Sequence, residues 1–373
     1  MDEDTPVGQR IAYWRRRRGL SQATLAGLAG VSVSYLSKVE QGQRTLDRVP
    51  VLSAIADVLR VSLGDLLGGV ELDLEGGAPL DPPPGLVRVR RAVLRLERAA
   101  SDAPNAAELH ADLEHVQRLA HGGSLEALSD TVPDLIAACR AAIEADVPGA
   151  WWCLSGAYRE AAGLGRALGD TRLSWVAADR ATEAAERSGD ETLVGAAQRQ
   201  VAHALMREGW LEEAGVVCSD AADRLAPTDT TANPVWSVWG SLQLTEAVIL
   251  SLREDPGGAR RVLRRVRPPA DRVGPGRNDY GEAFGPAWVG AHEVKVTLEM
   301  GDPVEALRLA DHVEVDQLPT GERRARFALW AAHAHSLRRD DAAAVGWLVE
   351  AERHRGRPSS GARAQDSAGV PAP

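Results

Sequence analysis

The sequence predicts an all-α chain in which a five-helix N-terminal bundle is followed by a long solenoid of helical repeats. Three observations predict it. Residues 22–40 carry apolar side chains at helical spacing interrupted once by glycine, the pattern of two short helices meeting at a tight turn. From 86 to 355 the chain is rich in Ala and Leu at helical spacing, without the β-branched alternation of a strand. Within that stretch a short polar turn followed by an Ala-bearing helix returns again and again, as it does where helical pairs stack.

The two-helix motif reads QATLAGLAGVSVSYLSKVE. Leu25, Ala26 and Ala29 form the apolar face of its first helix, and Val31, Leu36 and Val39 that of its second. Ala26 is small enough for the helices to cross closely, and Gly30 can take the left-handed backbone that the turn requires. Ser21 and Ser32 stand where N-caps belong, with hydroxyls placed to accept from free N–H groups of the first turns. A preceding helix is expected over 5–18, with Ile11 and Trp14 or Ala12 and Arg15 facing in. Helices over 49–59 and 62–67 are expected to close the core through Val51, Leu52, Ile55, Ala56, Leu59, Leu63, Leu66 and Leu67.

From Val7 to Leu67 these elements, in this order, resemble the phage-repressor-like (xenobiotic-response-element, XRE) family of DNA-binding domains. RGLSQ opens the second helix, GVS opens the third, KVEQGQR closes it, and LSAIADVLRVSLGDLL supplies the last two. The resemblance implies a DNA-binding domain over 1–67 whose third helix, 32–41, lies in the major groove. Ser32 opens that helix, and Val33, Ser34, Ser37 and Lys38 are expected toward the bases. Lys38 can donate to guanine, Ser34 can bond several bases, and Val33 can touch a thymine methyl. Gln22, Tyr35, Gln43 and Arg44 are expected on phosphates, with core packing as the alternative for Tyr35. The resemblance also implies that Arg15 pairs with Glu40, a bidentate guanidinium–carboxylate contact locking the first helix to the third.

Charge supports a split between the two parts. The chain carries −10 overall, yet residues 10–60 hold nine Arg and Lys against Glu40, Asp47 and Asp57. That stretch is therefore +6 and the remainder −16, so an anionic partner is attracted at one end and repelled elsewhere. The three cysteines, Cys139, Cys153 and Cys218, are scattered and match no metal-binding spacing, which fits a reducing compartment. MDEDTP has no apolar core for a signal peptide, and no run is expected to span a membrane, so a cytoplasmic location is expected.

Residues 68–85, GGVELDLEGGAPLDPPPG, read as a linker stiffened by its proline run, and 356–373 as a disordered tail. Between them, LGDTRL, SGDETL, EGWLEE, EDPGGA, MGDPVEA and RDDAAA mark the repeated turns. Ala214, Ala259, Ala306 and Ala344 follow one another at spacings of 45, 47 and 38 residues. This part resembles a degenerate tetratricopeptide-repeat (TPR) array, most clearly in GDPVEALRLA. Small residues at helix crossings allow close packing, and no helical pair can bury its apolar face alone. The whole organisation is similar to that of actinobacterial regulators, and the bias of 41 Arg to 2 Lys fits a GC-rich genome.

In TPR arrays the first helix of each pair lines the concave face. Tyr158, Gln198, His203, Gln243, Trp288, His292, Lys295 and His333 are the groove candidates on such helices, and Trp151, Trp236 and Trp330 are aromatic residues of the same segments. Asn278 and Tyr280 join them from the loop RNDYGEAFGP, which also holds Phe284. Core filling is the competing reading for each Trp. The histidines lack the spacing of a metal site, and no nucleophile, phosphate-loop or paired-carboxylate motif is present. No cofactor is implied, and an enzyme is not expected. The expectation is a sequence-specific, homodimeric transcriptional regulator that binds double-stranded DNA and senses a peptide or small molecule in its TPR-like groove. The alternative is a TPR adaptor or antitoxin-like autoregulator that binds a partner protein.

Overall fold

The computed structural model describes residues 7–18, 20–42, 49–59, 84–96, 100 and 102–354. Contacts divide the chain into two units, Met1–Pro82 and Pro83–Pro373. Among the described residues there are seventeen α-helices, one 3-10 turn and a two-stranded hairpin. The expected fifth helix at 62–67, residues Gln43 and Arg44, linker positions 68–83 and the tail 356–373 lie outside the described residues.

In the first unit, α1 (Val7–Arg17), α2 (Gln22–Leu28), α3 (Val33–Glu40) and α4 (Val49–Leu59) enclose a small core. Ile11, Leu25, Leu36, Ile55 and Leu59 are fully buried in it, with Ala26 and Ala56 between them. Both Ile11 and Ala12 are buried, so the inward face of α1 combines residues from the two alternatives the sequence left open. Gly30 sits at φ +68° in the turn between α2 and α3, where a side chain would be strained.

The second unit begins with α5 (Pro84–Val93), which starts two residues inside the stretch read as linker. Six helical pairs follow: α6 (Ala106–His121) with α7 (Leu125–Glu144), α8 (Ala150–Leu168) with α9 (Thr171–Ser188), α10 (Glu191–Glu208) with α11 (Leu211–Leu225), α12 (Asn233–Leu252) with α13 (Pro256–Val273), α14 (Pro286–Glu299) with α15 (Pro303–Ala310), and α16 (Gly321–Leu337) with α17 (Asp341–His354). The aspartates of the recurring turns explain their recurrence. Asp170, Asp190, Asp255 and Asp302 each accept backbone N–H groups of the helix that follows, an N-cap worth about 1 kcal/mol. The repeat alanines Ala214, Ala259, Ala306 and Ala344 all sit buried on the second helix of a pair.

The first helices of the pairs pack on one another from α6 through α16, and α16 returns to touch α6. The inner row thus closes on itself, so the body holds a cavity where an open groove was expected. Between α13 and α14 a hairpin, β1 (Asn278–Asp279) paired antiparallel with β2 (Glu282–Ala283), turns through Tyr280 at φ +53° and Gly281 at φ +72°. Two positive φ values in succession are the mark of a tight hairpin turn. Helix α12 is long and apolar enough to cross a membrane by length and composition, contrary to expectation, yet 61% of that window is buried inside the body. It is a core helix.

Phe284 follows the hairpin and is buried at 1% exposure, its ring lying directly on the backbone of α12. A Cβ at Gly240 would stand 2.2 Å from Phe284 Cε2. Gly240→Ala is therefore expected to displace Phe284 and loosen the hairpin, lowering stability by about 1–3 kcal/mol in urea unfolding.

Candidate functional site

Each unit holds one candidate site. In the first, Arg15 donates from Nε and Nη2 to the two oxygens of Glu40 at 2.7 and 2.8 Å, and from Nη1 to the Leu20 carbonyl at 3.0 Å. The Gln22 amide donates to Glu40 Oε2 at 2.8 Å. Burial alone would raise the Glu40 carboxyl, but the bonds from Arg15 and Gln22 outweigh it and hold the group below the usual range. The same hydrogen bond raises the Arg15 guanidinium. One carboxylate thus gathers α1, the start of α2 and the end of α3, which fixes the angle at which α3 is presented.

Ser21 accepts from Thr24 N at 3.0 Å and Ser32 from Tyr35 N at 3.2 Å, so both helices of the motif are capped by serine. On α3, Val33, Ser34 and Lys38 are exposed, as is Ser32 at its start. Ser37 is half-buried, and its hydroxyl accepts from the Gln41 amide at 3.3 Å. Tyr35 is half-buried against the core. Gln22 is turned to Glu40, which places its amide in the interhelical lock instead of the phosphate set.

In the second unit the closed row of helices surrounds a cavity of about 450 Å³. Its walls come from α8, α10, α12, α14 and α16, with the ends of α6 and α7 and the hairpin residues Gly281 and Glu282. Leu125, Leu128, Leu164, Leu244 and Val248 line one part of it, and seven cationic side chains against three acidic ones line the rest. Glu282 is fully buried and shared by two guanidiniums, Arg159 at 2.9 Å and Arg199 at 2.6 Å. Glu322 is likewise shared, by Arg326 at 2.8 Å and Arg323 at 3.4 Å. Arg323 also lies over the Trp288 ring at 4.8 Å, and Trp330 stacks on Trp288 with centroids 5.6 Å apart. Arg166 donates to the Gln200 carbonyl oxygen at 2.8 Å.

These charges set the protonation of their neighbours. Burial first, then Arg323, lowers His121 to about 4, and burial lowers His292 to about 3. His203 is driven well below the usual histidine range by burial and by Arg166 and Arg199. All three rings are neutral at pH 7, consistent with Arg199 donating to His203 Nε2 at 2.6 Å and Asn278 to His121 Nε2 at 2.9 Å. Burial opposes ionisation of Glu322, but Arg326 and Arg323 prevail and hold it at about 2. Arg159 and Arg166 favour ionisation of Glu160 too, but there burial outweighs them and pushes it up to about 7.

Residues 7–67 match the model of a helix-turn-helix domain. The HTH-type transcriptional regulator SinR of Bacillus subtilis is 41% identical over 61 residues, 16% of this chain and 55% of SinR, so the chain spans about half the length of that relative. YazB of the same organism, an uncharacterized HTH-type transcriptional regulator, is 37% identical over 59 residues, 16% of this chain but 84% of YazB. The chain belongs to the helix-turn-helix family of transcriptional regulators. Over nearly its full length it also aligns with the crystal structure of Bacillus thuringiensis PlcR in complex with the peptide PapR7 and DNA, covering 91% of this chain and 98% of that one at 12% identity and a TM-score of 0.38. So loose a likeness carries nothing further.

Within this family member the cavity takes four of the ten expected groove residues, His203, Trp288, His292 and Lys295. The others belong elsewhere for reasons of helical phase. On α12 the cavity side is Ser241, Leu244, Thr245 and Val248, which turns Gln243 away to a bond with the exposed Arg265. Tyr158 is buried at 1% exposure on the far side of α8, Gln198 bonds Arg224, and His333 is exposed outside the lining. Asn278 and Tyr280 face inward as fasteners, Asn278 on His121 and the Tyr280 hydroxyl donating to Asp190 at 2.8 Å. The arginines were missed altogether. In a chain with 41 of them nothing marks Arg159, Arg166, Arg199, Arg323 and Arg326 as cavity residues until their helices are set side by side.

Two outcomes follow from this geometry. Glu40→Ala leaves Arg15 without its carboxylate in a small core and is expected to lower stability by about 3 kcal/mol in chemical unfolding, with Arg15→Lys losing the bidentate contact. Glu160, raised in the folded state, binds a proton that the unfolded chain has already lost between its ordinary value of 4.5 and about 7. Stability from this group is therefore lost as pH rises through about 7. Glu160→Gln should raise the melting temperature relative to wild type at about pH 8 and leave it nearly unchanged at about pH 4.

Proposed function

We propose that this protein is a sequence-specific DNA-binding transcriptional regulator whose helical body senses a peptide or small molecule in its cavity. The observation that carries the DNA-binding half is the exposed edge of α3, Val33, Ser34 and Lys38, set on a helix locked by the Arg15–Glu40 pair. A rigid helix with exposed donors and an apolar methyl group is what base edges in a major groove require. The local charge of +6 around it supplies attraction to phosphates. The relatives matched over this domain carry the name transcriptional regulator, which agrees with the reading. A DNA partner in turn places the protein in the cytoplasm, and the chain's role is binding and not catalysis.

A homodimer completes the proposal. One recognition helix with three exposed contact residues reads few bases, and specific affinities of about 10⁻⁸ M are usually reached by two half-sites about 34 Å apart. The last helical pair leaves Leu337, Val345, Leu348 and Val349 exposed, an apolar edge that a second copy would cover. Sensing follows from linkage: a ligand in the cavity changes DNA binding only if it prefers one arrangement of the dimer to another. Selection of bound sequences from random DNA, run on the wild type and on a Lys38→Ala, Ser34→Ala double variant, tests this. A two-fold symmetric motif enriched by the wild type and lost in the folded double variant is expected. Equal enrichment by both proteins would remove α3 as the reading element.

A further inference from the structure

The cavity holds more positive charge than the chain itself neutralises. Two of its three acids are each shared between two guanidiniums, Glu282 by Arg159 and Arg199, and Glu322 by Arg323 and Arg326. Each group of three is therefore left one charge positive. Arg166 adds another, since its side-chain bond goes to the neutral amide of Gln200. Lys295 is paired with Glu299 and adds nothing. Glu160, the third acid, is raised by burial to about 7 and offsets at most one of these charges, so at least two uncompensated positive charges converge on one partly apolar cavity in a protein whose net charge is −10. Charge in such surroundings is costly unless it is paired.

We propose that the cavity binds a small amphipathic organic acid. Its carboxylate or phosphate is received by Arg166 together with Arg323 and Arg326, and its apolar body lies against Leu128, Leu164, Leu244 and Val248. The assignment rests on the sensor reading above and adds the chemical class of the signal. Guanidiniums suit the task because their planar forks bind carboxylate or phosphate oxygens in pairs. The volume of about 450 Å³ lies in the range of small-molecule pockets and, with the inner helices closed into a ring, leaves a long peptide no open groove. A neutral ligand would leave these charges unpaired, and a cationic one would add to them. Arg166 registers the deficit: burial, then Arg326 and Arg199, bring it down to about 9, as befits a guanidinium without a counterion.

Titration calorimetry on the full chain tests the assignment with four probes sharing a similar aliphatic tail: octanoate, octyl phosphate, octanamide and octylammonium. At least one anion should bind with a Kd of about 1 mM or tighter, with the neutral and cationic probes far weaker. The tighter anion identifies the acidic group. Arg166→Gln should weaken that anion by about ten- to a hundredfold, and Arg166→Lys should keep part of the affinity. Circular dichroism checks that each variant is folded, and Arg326→Gln takes the place of any Arg166 variant that is not. Binding of octanamide as tight as that of the anions, unchanged affinity in the folded glutamine variant, or failure of both anions to bind would each overturn the proposal. DNA affinity measured with and without the bound anion separates this from the sensor reading. Anion binding that leaves DNA affinity untouched removes the sensor reading alone, and a change in DNA affinity driven by octanamide or octylammonium removes the anion assignment alone.

Discussion

The helical body depends on a single carboxylate. Glu282 arrives at the centre of the ring from the hairpin between α13 and α14 and is completely buried, where an unpaired charge would be intolerable. Arg159 from α8 and Arg199 from α10 meet it at 2.9 and 2.6 Å and hold it ionised against burial. The arginines need Glu282 as much as it needs them, since their own guanidiniums are buried beside apolar walls. The pairing joins segments more than eighty residues apart in sequence and ties the later helices to the earlier ones.

The rest of the hairpin reinforces that tie by bonds of an ordinary kind. Asp279 accepts from Ser237 at 2.6 Å and from Arg277 at 2.7 and 2.9 Å, Asn278 reaches His121 on α6, and Tyr280 reaches Asp190, which also caps α10. With Phe284 seated on Gly240, the loop closes the ring of inner helices from within. An open superhelix would present its inner face as a groove; this closure converts the same face into a cavity. The positive field inside it is set by helix rotation, which turns seven cationic side chains but only three acidic ones toward the cavity.

The helix-turn-helix unit solves a similar problem on a smaller scale. Its core is a handful of Ile, Leu and Val side chains, too little on its own to fix helix angles firmly. The Glu40 carboxylate supplies direction by taking Arg15 and Gln22 together, and the serine caps satisfy the first turns of α2 and α3. In both units, then, one buried or nearly buried glutamate organises helices that apolar packing alone would leave free to slide.

Much of this was legible in the residues. Helical periodicity, the glycine turn at Gly30, the capping serines, the repeating turn aspartates and the buried repeat alanines are local features, set by backbone conformation and nearest neighbours, and they specify an all-α chain with a helix-turn-helix at one end. The Arg15–Glu40 contact was legible through family resemblance, because the spacing along a short motif is fixed. The cavity was not. Gln243 and Tyr158 sit on the same helices as cavity residues but at the wrong phase, and Arg159, Arg199 and Glu282 become a site only when the ring closes. Sequence determined the helices and their caps because those depend on residues a turn apart; the tertiary structure alone decided which arginines face one another, because ring closure and helix rotation are set by packing between distant segments.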